Sequence, residues 1–91
     1  MRLWVDDLRE PPDATWSWAK TSTEAIEALK RSAGEVTEMS LDHDLGGEDT
    51  TRPVVLWLCE NGFWPQRISV HTANPVGREW LEGMIGRSMP A

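Results

Sequence analysis

Four aspartates and two histidines stand directly behind short apolar runs, and that spacing is the clearest chemical signal in the chain. Asp6 and Asp7 follow Arg2 to Val5, Asp42-His43-Asp44 follows Val36 to Leu41, and His71 closes Ile68 to His71. If those runs are strands, Asp6, Asp7, Asp42 and Asp44 come to one edge of a sheet from two neighbouring strands. Carboxylates that close repel unless a cation sits among them, basic side chains neutralise them, or one is protonated. The first solution predicts a weak Mg²⁺ or Mn²⁺ site on Asp7, Asp42 and Asp6. Arg9, two residues beyond the acidic pair, offers the second by partnering Asp7. The histidines suit proton transfer, because imidazole titrates near neutral pH and a neighbouring carboxylate can fix its tautomer. His43 and His71 are thus expected as acid and base, with Asp42, Asp44 and Asp6 around them. They serve equally as ligands for a transition metal. The string His71-Thr72-Ala73-Asn74-Pro75-Val76-Gly77-Arg78 has the marks of an anion site. A helix start offers free amides and partial positive charge, Asn74 and Thr72 add polar side chains, Gly77 permits close approach, and Arg78 can fork onto two phosphate oxygens. Arg9, Thr72, Asn74, Gly77 and Arg78 form the expected substrate-binding set.

The elements that must position these residues alternate. Arg2 to Val5 reads as strand one, and Leu8 to Thr15, with Pro11 and Pro12, as a loop. Trp16 to Ala19 is strand two, with Trp16 and Trp18 on one face in a pattern typical of core. Thr21-Ser22-Thr23-Glu24 fits a capping box and opens a helix whose stripe is Ala25, Ile26, Leu29 and Ala33, ended by Gly34. Val36 to Leu41 is strand three, and the loop behind it has the composition of a mobile segment. Pro53 starts a short helix through Val54, Leu56, Trp57 and Leu58 that Asn61-Gly62 closes; Cys59 sits in it among apolar residues. Strand four follows, then a helix capped by Asn74 with Trp80, Leu81, Met84 and Ile85 on its apolar face. Trp4 and Trp57 are expected to pack. Strands alternating with helices predict an α/β domain of three layers, a parallel four-stranded sheet in order 2-1-3-4 and three helices. The connection from strand one to strand two is short for a parallel crossover, so a hairpin competes. Eight extended residues nevertheless span roughly 26 Å, enough to run back without a helix.

Residues 1–91, 40% hydrophobic, suffice for one domain with one core. Six tryptophans are an excess for this length. A formal charge of −6 disfavours long duplex nucleic acid, leaving a small nucleotide or an RNA end as partner. One cysteine excludes an intramolecular disulfide. With no signal peptide and no apolar run of membrane-spanning length, a soluble cytoplasmic protein away from membranes is expected.

Leu3-Trp4-Val5-Asp6-Asp7-Leu8-Arg9, Ser40-Leu41-Asp42-His43-Asp44-Leu45-Gly46-Gly47 and His71-Thr72-Ala73-Asn74-Pro75-Val76-Gly77 resemble the cyclic-phosphate-processing receiver-like domains. These are shortened relatives of response-regulator receivers found in bacteria and their phages. The resemblance implies processing of cyclic phosphates in RNA repair or nucleotide signalling. In receivers the acidic pair binds a divalent ion, the aspartate after strand three accepts phosphoryl, and a Thr or Ser and a distant lysine complete the site. Asp6, Asp7, Asp42 and Thr72 match that set. Lys20 and Lys30 are not in the lysine's place, which argues against a phosphorelay. The expectation is a phosphoesterase that opens a cyclic phosphate by water attack. The competing expectation is a binding module, either one that sequesters a cyclic nucleotide or a degenerate receiver that binds protein.

Overall fold

The computed structural model describes residues 1–32 and 34–90. Its elements run β1 (Arg2–Val5), β2 (Trp16–Ala19), α1 (Ser22–Ser32), β3 (Glu38–Leu41), α2 (Arg52–Asn61), β4 (Arg67–Val70) and α3 (Pro75–Ser88). All strand pairs are parallel and the order is β2-β1-β3-β4. The hairpin alternative is thereby excluded, and the sheet order is the one expected.

Register decides which residues share a face. Val5, Ala19, Leu41 and Val70 are aligned across the sheet, as are Leu3, Ser17, Met39 and Ile68, so these eight point one way. Their apolar members join Ala25, Ala28 and Leu29 of α1, Val54, Val55 and Leu58 of α2, and Leu81 of α3 in a single core. Each valine, leucine or methionine among them contributes roughly 1.5 to 3 kcal/mol when fully buried, and all three helices lie on this one face. The opposite face carries Arg2, Trp4, Trp16, Trp18, Glu38, Ser40, Arg67 and Ser69.

No helix covers that second face. Right-handed crossovers require the β1–β2 connection, which moves the other way along the sheet, to pass over it. Residues 6–15 do so: the Trp4 indole donates to the Arg9 carbonyl at 2.8 Å, and Arg2 donates to Thr15 Oγ1 at 2.7 Å. The expected third layer is therefore a loop, because ten residues provide length to return but not to wind a helix and pack it.

The tryptophans divide accordingly. Trp57 and Trp80 pack against the core, while Trp16 and Trp18 lie outside it and are half-buried on the loop-covered face. Cations cover them, with the Arg2 guanidinium 4.0 Å from the Trp16 ring and Lys20 Nζ 4.4 Å from Trp18. The core reading of the Trp16–Trp18 strand is thus corrected, since an edge strand with no helix over that face cannot bury them.

Local expectations fare unevenly. Thr21 caps α1 by accepting from the Glu24 N–H, but Glu24 reaches the Lys20 amide rather than that of Thr21. Ala33 lies outside the described residues. The loop after β3 is tied down rather than loose. Asp44 and Thr50 form an antiparallel bridge, and the Asp49 carboxylate accepts from both the N–H and the hydroxyl of Ser22 at the start of α1. Cys59 is exposed, not lodged among apolar side chains. No helix among the described residues is long and apolar enough to cross a membrane.

Candidate functional site

The sheet's ladder continues one residue past three strands. Asp6 N–H donates to Ala19 O at 3.1 Å, Asp42 N–H to Val5 O at 2.9 Å, and His71 N–H to Leu41 O at 2.9 Å. Asp6, Asp42 and His71 are thus fixed by backbone pairing at adjacent points along the carboxyl edge. Carboxylate oxygens of Asp6, Asp7 and Asp42 come within 4.8 Å of one another.

His71 reaches from β4 across β3 to β1. Its Nε2 lies 2.9 Å from Asp6 Oδ2 and its Nδ1 lies 2.7 Å from Ser40 Oγ. The ring stacks on Trp4, centroids 4.0 Å apart and planes 7° from parallel. This passage works because β3 presents only a serine beneath the ring. Burial pushes the Asp6 carboxyl up, yet the amides of Arg9 and Leu8 together with the His71 ring outweigh it and hold the pKa below the ordinary value. Burial likewise pushes the His71 pKa down, against the pull of Asp6. A neutral ring beside an ionised acid assigns the protons: Nε2–H donates to Asp6, the Ser40 hydroxyl donates to Nδ1, and Ser69 donates to Ser40 at 3.2 Å.

His43 lies elsewhere. It is 5% exposed, its Nδ1 is 3.1 Å from Asp44 Oδ1, and its Nε2 accepts from Arg52 Nε at 2.9 Å. An arginine cannot accept, so the His43 proton is on Nδ1 and faces Asp44. Asp44 also accepts from the Asn74 side-chain amide at 3.0 Å, and that bond chiefly holds its carboxyl below the usual range.

A cavity of about 280 Å³ opens over the acidic edge, lined in part by Asp7, Arg9, Asp42, Asp44, His71, Thr72 and Asn74. Gly46 also reaches its wall at φ +86°, where a Cβ would come 3.1 Å from Asp7 Oδ2. Another cleft of about 190 Å³ beside β2 and α1, lined by Trp18, Glu24 and Glu27 among others, has no strand-end acid or histidine.

Four expected residues are not on the cavity wall. Asp6 is buried behind it, its carboxylate held by the Leu8 and Arg9 amides and by His71. His43 is turned toward Arg52. Gly77 serves packing: a Cβ there would stand 2.3 Å from His43 Cγ, and its amide is already taken by the Asn74 side chain at 3.0 Å. Arg78 donates to the Thr72 carbonyl at 3.1 Å and to Glu82 at 3.3 Å, so its fork is spent within the chain. With the Gly77 amide capped and the Arg78 amide donating to Asn74 O, the start of α3 has little left for an anion. Arg9 makes no ion pair with Asp7 among the described residues. Conversely, Trp4, Ser40 and Ser69 were not expected near the site. Their signal is parity: Trp4, Ser40 and Ser69 each stand two residues before Asp6, Asp42 and His71, which places them on the same face.

A family model described as the cyclic-phosphate processing receiver domain matches residues 1–87. No curated protein and no solved structure matches the chain. With nearly its whole length matched, and with strand-end acids on a parallel β2-β1-β3-β4 sheet, the chain belongs to the family of cyclic-phosphate processing receiver domains.

Proposed function

We propose that the cavity over the β1 and β3 termini binds a cyclic phosphate, on a small nucleotide or an RNA end, and opens it by hydrolysis. The observation that carries this reading is the two-sided wall. Asp7 and Asp42 face the cavity from the strand ends, while Arg9, Thr72 and Asn74 line the same space with donors. Its volume falls just below the roughly 300 to 1,000 Å³ usual for small-molecule sites, which suits one nucleotide unit better than two.

The donor set fits a hard divalent cation such as Mg²⁺ or Mn²⁺, which takes oxygen ligands. Asp7 and Asp42 would hold it directly, because Asp6 is already engaged by two amides and His71. When bound, such an ion supplies charge neutralisation and a more acidic water. The chain's own residues do the rest. Arg9 and the Thr72 hydroxyl grip phosphate oxygens, Asn74 orients the ring, and Asp44 holds Asn74. His71 keeps Asp6 ionised and aimed. Water adds to phosphorus and releases a proton to solvent, one ester P–O bond breaks, and the departing oxygen takes a proton from solvent in return. Both ring nitrogens of each imidazole are hydrogen-bonded, so the histidines act as positioning residues, not as the acid and base the sequence suggested.

The same engaged imidazoles favour a second reading, in which the cavity sequesters its ligand without turnover. A panel of cyclic mono- and dinucleotides and cyclic-phosphate RNA ends, incubated with and without Mg²⁺ or Mn²⁺ and resolved by chromatography, separates them. Ring-opened product that depends on metal supports hydrolysis. Intact ligand recovered after heat denaturation supports sequestration.

A further inference from the structure

A second cavity, about 560 Å³, lies on the helical side beside the start of α2 and along α3 from its first turn to its last, lined by Arg52, Val76, Glu79, Trp80, Gly83 and Arg87. Two guanidiniums face one carboxylate there, against the net charge of −6 of the whole chain. Neither Arg52 nor Arg87 pairs with an acid among the described residues. Arg52 spends only its Nε, on His43, and its guanidinium carbon stands 4.9 Å from the Trp80 ring centroid. Among the described residues the Arg87 side chain hydrogen-bonds only the Met84 sulfur, and Gly83 leaves it room, since a Cβ there would come 3.2 Å from its Nη1. Val76 is 69% exposed beside them. Unspent planar donors recognise phosphate, and a guanidinium already stacked on an indole offers its other face to a further flat ring.

We propose that this second cavity is a nucleotide site, with Arg87 and the free Nη groups of Arg52 on the phosphate and the Arg52–Trp80 stack beneath the base. Its occupancy is felt at the first cavity. Arg52 donates to His43, His43 donates to Asp44, and Asp44 accepts from Asn74, so a continuous hydrogen-bonded line runs from one wall to the other. A phosphate on the Nη groups that shifts the guanidinium along the Trp80 face lengthens the Nε bond to His43 Nε2 and loosens the Asp44–Asn74 rim. This site is independent of whether the first cavity hydrolyses or sequesters.

Titration of the ¹⁵N-labelled full chain with AMP tests it, with adenosine and inorganic phosphate as separate arms. Expected are saturable shifts at Arg52, Val76, Trp80 and Arg87, weaker shifts with either half alone, and a loss of AMP affinity of about tenfold in Arg87→Ala. The Asn74 side-chain amide signal is expected to move along the same isotherm. Shifts confined to the first cavity, AMP binding that is unaltered in Arg87→Ala, or phosphate binding as tightly as AMP would each overturn the nucleotide site. An Asn74 signal that stays still while the second cavity saturates would overturn the coupling.

Discussion

The two histidines follow consecutive strands and each lies beside an aspartate, yet their surroundings assign them opposite work. His71 is pressed between Trp4 and the serines of β3 and β4, and its outward nitrogen supports the acid at the heart of the site. His43 is one residue farther past its strand than His71. That single step turns it to the other side of the sheet, beneath Gly77 and against Arg52. One ring braces the floor of the first cavity from within the sheet; the other ties its rim to the helices. Parity along a strand, more than residue type, separates the two roles.

The largest effect expected is on turnover. Charge stabilisation by a bound metal is worth several kcal/mol, so Asp42→Asn and Asp7→Asn should each lower the rate on the best substrate by about 10²-fold or more. His43→Asn should lower it by less, because His43 reaches substrate only through Asp44 and Asn74. Steady-state kinetics with a Mg²⁺ titration checks this. A His43 variant that falls further than Asp42→Asn would break the comparison at its root.

Next is packing. Ala at position 77 would drive its Cβ into the Cβ, Cγ and Cδ2 atoms of His43, at 2.7, 2.3 and 2.7 Å. Those atoms are close to the backbone and cannot swing clear, so Gly77→Ala should cost about 3 kcal/mol, the upper end of ordinary overpacking. Truncating His43 to Ala removes Cγ and Cδ2, including the nearest obstacle, and leaves only its Cβ, at 2.7 Å. The Gly77→Ala/His43→Ala double variant should therefore be more stable than the sum of the singles, by about 1 kcal/mol or more in urea unfolding. Additive losses would mean that the ring is not wedged.

On the other histidine, Ser40→Ala strips the donor from His71 Nδ1 and interrupts the line from Ser69 to Asp6. A buried acceptor left without a partner costs about 1 to 3 kcal/mol. Ser40→Thr restores the hydroxyl and should recover part of the loss, whereas loss of bulk alone would not distinguish the two. Equal stabilities for the Ala and Thr variants would sever His71 from the sheet's polar face.

Much of this arrangement was legible from residue patterns. β1 and β2 have the bounds expected, Asn74 caps α3 as expected, and the strand order follows from setting the two acid-bearing strands side by side. What could not be read locally depends on what lies across space. The Trp16–Trp18 alternation looks the same whether a helix or a loop covers it, and only the handedness of the β1–β2 connection decides between them. The Asn-Pro-x-Gly-Arg string looks the same whether its amides meet an anion or a side-chain cap. Its glycine could not announce that it makes room for a ring thirty-four residues earlier.

Arg78 gives the smallest effect, and it discriminates sharply. Read from sequence, it grips phosphate, and its loss would then remove a charge-assisted bond of about 1.5 to 3 kcal/mol and raise KM by tenfold or more. In the folded chain its guanidinium instead ties the Thr72 carbonyl to Glu82 of the same helix, at an ion pair open to solvent on both sides. Exposed pairs contribute roughly 0 to 1 kcal/mol. Arg78→Ala should therefore lower stability by about 0.5 kcal/mol and change KM by no more than about twofold, through a slight loosening of Thr72. Arg9 carries the contrasting expectation, because it lines the cavity and makes no ion pair among the described residues. Arg9→Ala should raise KM by about tenfold with little change in stability. Kinetics on the pair, with urea unfolding alongside, sharpens the contrast between rim and brace. If Arg78→Ala instead raises KM as much as Arg9→Ala, the start of α3 is an anion site after all and the phosphate lies nearer Gly77 than the acids.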